Sequence, residues 1–360
     1  MFSQPRIAPQ PPQLCRFDCM DLTACLVSVR PMTTHRADFR FTNPRALIAA
    51  LPAVLGFVPE RSLVLVSLER GQMGAVMRAD LSAGLTENVH RLAELAASSG
   101  ADTVVAVVVD PDGALCPMCN EDHRQLCEAL TEALKSEDIE LTAAHAVDRV
   151  EAGGIWRCID GCGATGVVED PSASPLAAAA VLDGRRLYAR RADLQSVIAV
   201  TDPARAAVLA GLIGVEAERR NTAWQADPDG CGRRDLQMAM ATAARVGDGA
   251  ELTDGEVAAL ACALADVAVR DPLYALAVGA EAAQAEALWA LLSRLLPDPW
   301  RAEALVLLAF SAYARGDGPL AGISLEAALR SDPAHRMAGM LDTALQSGMR
   351  PEQIRELAGT

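Results

Sequence analysis

Aromatic residues are scarce in this sequence: four Trp, three Tyr and six Phe in 360 residues, or 4%. Its core must therefore be built from aliphatic and alanine side chains, which favour helix and close helix packing. Histidine is scarcer still. Five residues stand at 35, 90, 123, 145 and 335, too dispersed for a paired-histidine metal helix. Basic charge is in deficit. Thirty-two Lys and Arg against 47 Asp and Glu leave a net charge of −15. Such a surface repels phosphate backbones and anionic headgroups, so neither nucleic acid nor a membrane surface is an expected partner. The basic cluster Arg185, Arg186, Arg190 and Arg191 reads as a solvated face.

Long apolar runs are missing as well. "TVVAVVV" (103–109) has strand length and "ALVLLAFSAYA" (304–314) is bounded by charge, both short of the ~20 residues a membrane helix needs. The opening "MFSQPRIAPQPPQ" lacks the apolar segment of a secretory signal, which makes the expected compartment cytoplasmic. There is no Gly-x4-Gly-Lys-Ser/Thr loop and no Gly-x-Ser-x-Gly elbow. "DGCGRRD" (229–235) reads as a turn, since no strand precedes it.

What is present is a chain of 51% hydrophobic residues, long enough for two domains. Residues 1–38, with Pro5, Pro9, Pro11 and Pro12 and the aperiodic Cys15, Cys19 and Cys25, are expected to be a disordered tail. Met32 is an alternative start of translation. Residues 39–201 are expected to form an α/β domain with a mixed or mostly parallel sheet. Helical spacing marks 43–57, 86–100 (capped by Thr86, stopped by Gly100), 121–139, 174–185 and 191–200. Strands are expected at 62–68, 71–81, 102–110 and 140–148, the third covered on both faces. The glycine-rich 153–175 reads as a long hairpin or irregular loop. Beyond Thr201 only helical periodicity remains, so 202–360 is expected to be an all-α domain.

Within that domain, 302–335 fits a tetratricopeptide-like unit. Ala309, Ala321, Ala328 and Pro333 fall on its small-residue and proline positions, Leu325 on a large apolar one, and Gly316-Asp317 makes the turn. Ala287, Leu291 and Pro299 give a weaker echo of the same pattern. A repeat-like domain of this kind suits a protein partner.

The chemistry concentrates in cysteine. Cys116 and Cys119 follow the apolar strand and precede a helix, and Cys158 and Cys162 form a second close pair among glycines. Four thiolates complete a tetrahedral structural zinc site, with His123 as a substitute ligand. A Cys-x-x-Cys at a helix start also has the form of a redox pair. A third reading is reduced thiols without a role, as for Cys127 and Cys262 on apolar helix faces. Asp110 and Asp112 stand at the strand edge where α/β folds bind ligands, and read as turn formers.

The segment 43–68 resembles the opening of an actinobacterial family known as a domain of unknown function. Pro44, Leu47, Pro52, Leu55, Gly56, Phe57, Pro59, Ser62, Leu63 and Val64 match its pattern. The likeness extends through 156–166, 177–194 and the Gly-Asp turn at 316–317, covering about residues 40–350. Members carry paired cysteines and a Pro where this chain has a single Cys162 followed by Gly163. The resemblance implies a unit of fold and no activity. The expectation is a non-enzymatic interaction or regulatory protein, with a structural zinc on Cys116, Cys119, Cys158 and Cys162 and a protein partner on the helical domain. The alternative is an enzyme, a thiol oxidoreductase, at the strand-end loops 110–119 and 156–166.

Overall fold

The computed structural model describes residues 27–28, 43–69, 71–82, 84–116, 118–182, 185–347, 349 and 351–358. The tail expected over 1–38 lies outside the described residues, apart from the two-residue strand β1 (Val27–Ser28). Helix α1 (Pro44–Leu55) starts where Asn43 accepts the N–H of Arg45 (3.1 Å), with Pro44 pre-set for the first turn. It ends at Gly56, whose φ of +77° admits the left-handed cap. The hairpin of β2 (Ser62–Glu69) and β3 (Gln72–Asp80) follows, as expected.

A 3-10 turn at Thr86–Asn88 then leads into α2 (Val89–Ser98). Thr86 therefore opens the 3-10 turn and does not cap the α-helix. Next come β4 (Thr103–Val109), α3 (Cys119–Lys135) and β5 (Glu140–Val147). The glycine-rich excursion is a short hairpin of β6 (Ile155–Cys158) and β7 (Thr165–Val167). It is followed by α4 (Pro175–Leu182) and α5 (Arg191–Gln195), the latter shorter than its periodicity suggests.

The strands form one mixed sheet in the order β1-β3-β2-β4-β5-β6-β7. Among the described strands only β4 and β5 are parallel neighbours, because α3 carries the chain back to the starting edge of the sheet. The other pairs are antiparallel. Alternation along the strands then divides the core. Leu63, Leu65, Val104, Ala106 and Val108 face α2 and α3, where Leu92, Leu126 and Leu130 cover them. Val64, Val66, Val105, Val107 and Val109 turn to the opposite face, against α1 and the helical region.

That region contains α6 (Pro203–Ala226), α7 (Pro228–Gly247), α8 (Asp254–Leu264), α9 (Val267–Leu273) and α10 (Ala282–Leu295). It continues through α11 (Arg301–Arg315), α12 (Gly318–Ser331), α13 (Arg336–Gln346) and α14 (Pro351–Ala358). Residues 229–235, read as a turn, are the start of α7. Asp227 accepts the N–H of Gly230 (2.9 Å) and Pro228 takes the first helical position, a start signal just upstream of the glycines. Helices α11 and α12 form a hairpin over 302–335. Gly316 turns at φ +88°, Asp317 caps Leu320 (3.1 Å), and Ala309, Ala321, Leu325 and Ala328 are buried.

One buried cluster runs from Leu47 of α1 to Ile354 of α14. Contacts across position 202 pin the two parts together. A Cβ on Gly56 would stand 2.9 Å from Cβ of Pro319, and Arg301 donates from Nη2 to the carbonyl of Ile198 (2.7 Å).

Candidate functional site

Strands β4 and β5 end side by side, and the N–H of Asp110 donates to the carbonyl of Val147 (2.9 Å). The loop to α3 leaves from this edge. Asp110 does form the expected turn, accepting the N–H of Asp112 through Oδ1 (3.2 Å), and its Oδ2 holds Nε2 of the buried His123 (3.0 Å). His123 is thus tied to a carboxylate and not to the thiols. A Cβ on Gly113 would land on the Asp110 carboxylate and stand 3.0 Å from Cβ of Cys119. Glycine is required there because the Asp110 carboxylate fills the space a Cβ would need. Asp112 pairs with Arg61 at the rim.

The carbonyl of Cys116 accepts the N–H of Asn120 (3.1 Å), so Cys116 sits at the mouth of the first turn of α3. The side chains of Cys116 and Cys119 act on each other, and the two respond in opposite directions. The backbone N–H of Cys119 holds the Cys116 thiol below its ordinary pKa, helped by the Cys119 side chain, the Met118 backbone and the Arg157 charge. The Cys116 side chain pushes the Cys119 thiol up, followed by burial and the charges of Cys116, Asp110 and Asp122. The second pair has the same unequal form. Burial, then the bond to Cys162, pushes Cys158 up to about 11, while the Cys158 side chain holds Cys162 down.

The pairs do not converge. Arg157 on β6 donates from Nε to the carbonyl of Ala114, tying the hairpin to the cysteine loop. Arg157 lies opposite Ala146, on the sheet face covered by α2 and α3. The next residue points the other way: Cys158 lies opposite His145, which meets the Trp156 ring edge-on at 5.3 Å. Pleat alternation therefore places Cys158 across the sheet from the loop that carries Cys116 and Cys119. Among the described residues, no group of three or more His, Cys, Asp or Glu could hold a metal ion together. Cys127 and Cys262 are buried as expected, with burial pushing their thiols up to about 12 and about 11.

Two large apolar side chains beside Cys116 and Cys119 are exposed, among the charged Asp112, Glu121 and Arg124. Leu115 is 54% exposed and Met118 82%. Beneath them Asn120 Oδ1, His123 Nδ1 and Arg157 Nη2 are buried without a protein partner. Such groups gather where a site is built to meet something else.

Sequence reasoning missed a second place. A cavity of about 600 Å³ opens between the 186–188 segment, α10, α11 and the start of α12. Its only trace in the sequence is the run of small residues at Ala277, Gly279, Ala280, Ala282, Ala283, Ala287 and Ala290, which leave the room.

No helix among the described residues is long and apolar enough to cross a membrane. No curated protein and no solved structure matches the chain. A family model described as Domain of unknown function (DUF4192) matches residues 44–352.

Proposed function

We propose, for a chain that belongs to the DUF4192 family of domains of unknown function, that the Cys116–Cys119 edge is a dithiol–disulfide site. The observation that carries this reading is the placing of Cys116 and Cys119 together at the mouth of the first turn of α3, where the backbone N–H of Cys119 holds the Cys116 thiol below its ordinary pKa. The thiolate of Cys116 attacks a substrate disulfide, forms a mixed disulfide and expels one thiolate. The Cys119 thiol then gives up its proton and attacks Sγ of Cys116. That closes the Cys116–Cys119 disulfide and releases the second substrate thiolate, so two electrons pass from the pair to the substrate. The Asp110 carboxylate, which borders Gly113 as Cys119 does and whose charge acts on the Cys119 thiol, receives the proton. Exposed Leu115 and Met118 suit a substrate disulfide carried by a protein.

The rival proposal is zinc on Cys116, Cys119, Cys158 and Cys162, which requires the two pairs to be drawn together around the sheet edge. One experiment separates the two. Reduced protein is treated with oxidised glutathione and mapped by mass spectrometry, with elemental analysis on the same samples. The dithiol reading expects a Cys116–Cys119 disulfide in the wild type and glutathione on Cys116 in Cys119→Ser. Uniform labelling of exposed cysteines refutes it. One zinc per chain, lost in Cys116→Ser with Cys158→Ser, puts the metal site in its place.

A second reading, a non-enzymatic interaction protein with its partner on the helical region, has its own observation. Val208, Leu212 and Val215 are exposed at i, i+4 and i+7 on one face of α6. Under this reading a partner purified with the wild type from the native host is lost from Leu212→Glu and rebinds in reciprocal purification. Retention by that variant removes the reading.

A further inference from the structure

The cavity beside α10 carries the strongest inference outside the cysteine edge. It rests on none of the thiol chemistry. Its outer wall is the 186–188 segment, fixed by backbone. Tyr188 donates its N–H to the carbonyl of Gly56 (2.8 Å) and accepts that of Val58 (3.3 Å).

The charges around the cavity cancel, and the buried ones are already met. Its charged lining residues are Arg186, Arg315, Glu286 and Asp317, two of each sign. Arg315 bonds both oxygens of Glu286 (2.9 and 3.1 Å) and Oδ2 of Asp317 (3.1 Å). The other oxygen of Asp317 accepts the N–H of Leu320 (3.1 Å) at the start of α12, where the helix dipole favours a carboxylate. Arg186 is exposed to solvent, its guanidinium 5.3 Å from the centroid of the Tyr188 ring. An ion entering this space would give up its hydration and find no buried charge left unpaired.

What the interior offers instead is methyl surface and one hydroxyl. Ala283, Ala287 and Ala290 follow one another along one face of α10, and Leu308 of α11 and Leu320 of α12 belong to the same lining. Ser311 of α11 lines the cavity and is 4% exposed. Ser293 and Ser324 donate to the carbonyls four residues back in their helices (2.8 and 2.7 Å). Ser311 makes no such bond, so its Oγ is available to whatever enters. The volume of about 600 Å³ falls within the ~300–1,000 Å³ of small-molecule sites, which join apolar walls to a few polar groups.

We infer that this cavity binds an uncharged, mainly apolar small molecule whose one polar group hydrogen-bonds the Ser311 hydroxyl. Burial of its apolar body against the alanine face supplies the contact. The hydroxyl sets its orientation, and the cost of stripping water from an ion excludes charged molecules of the same shape.

The test is calorimetric titration of the full chain with three probes of one shape: the uncharged 2-naphthamide, the anion 2-naphthoate and the cation 2-naphthylmethylammonium. The amide should bind one to one, at least tenfold tighter than either ion. Ser311→Ala should weaken the amide severalfold. Ala290→Phe should abolish binding and Ala290→Leu should weaken it, with circular dichroism and Tm at wild-type values. If the phenylalanine variant does not fold, the leucine variant decides. No binding of the amide at its solubility limit overturns the inference. So does an ion that binds as well as the amide, or unchanged amide affinity in Ser311→Ala or in a folded Ala290 variant.

Discussion

Gly56→Ala tests how α1 is joined to the helical region. Gly56 holds φ +77°, and a Cβ there stands 2.9 and 3.0 Å from Cβ and Cγ of Pro319. Two costs follow. Forcing alanine into the left-handed region costs about 1–2 kcal/mol. Overpacking against a proline ring, which cannot rotate away, adds roughly 1–3 kcal/mol. The stiffer unfolded chain returns only ~0.4–1 kcal/mol. The net loss should be about 2–4 kcal/mol. Gly100→Ala provides the control, because Gly100 has the same φ of +77° and nothing within 4 Å of its Cβ position. There only the conformational cost applies, about 1 kcal/mol after the same offset. Urea unfolding followed by circular dichroism reads both variants. A clearly lower midpoint for Gly56→Ala than for Gly100→Ala is expected. Equal midpoints would show that α1 does not press on α12, and the reasoning about the shared core would fail with them.

Three further outcomes are expected. Against burial, which raises it, the bond from His335 (3.1 Å) and the charge of Arg270 (2.9 Å) hold the Glu303 carboxyl below its usual range. This carboxylate stabilises the fold above the unfolded value of ~4.3 and loses that contribution as pH falls through the lower folded value. Glu303→Gln should therefore cost ~2 kcal/mol near neutrality, the cost of leaving buried hydrogen-bond partners unsatisfied, and flatten the acid limb of a stability–pH curve; an unchanged limb refutes the linkage. Gly166→Ala places a Cβ 2.9 Å from Nε1 of Trp156, and should reduce amide protection across the β6–β7 hairpin in hydrogen exchange while leaving α13 unchanged. Iodoacetamide labelling across pH should modify Cys116 well before Cys158, which burial pushes up to about 11; simultaneous labelling contradicts the assigned environments.

Local features were readable. Asn43-Pro44 opening α1, Gly56 closing it, and the unbroken valines of β4 each act through neighbours in the chain or through burial on both faces. The start of α7 was hidden because glycines at 230 and 232 outweighed the cap formed by Asp227 and Pro228. The Cys116–Cys119 contact was also legible, since two intervening residues at a helix start bring thiols together. The relation between the two pairs was not. It turns on strand parity: Arg157 and Cys158 are adjacent in sequence and lie on opposite faces of β6. Spacing cannot reveal which of two neighbours shares a face with a loop forty residues upstream. The cavity left almost no trace because a void belongs to no segment. It exists only where the 186–188 segment, held by Gly56 and Val58, stands off from α10.

The seat of Gly56 on Pro319 sets an order of events during synthesis. Helix α1 leaves the ribosome early, with nine residues destined for burial. Its partner Pro319 on α12 is made more than two hundred residues later. At roughly 5–20 residues per second the interval is tens of seconds. For that time the nascent helix has the sheet and, later, α4 to lie against, but not α12. A growing chain of this design needs either early sheet closure or a chaperone at α1, and α12 acts as the latch that releases it.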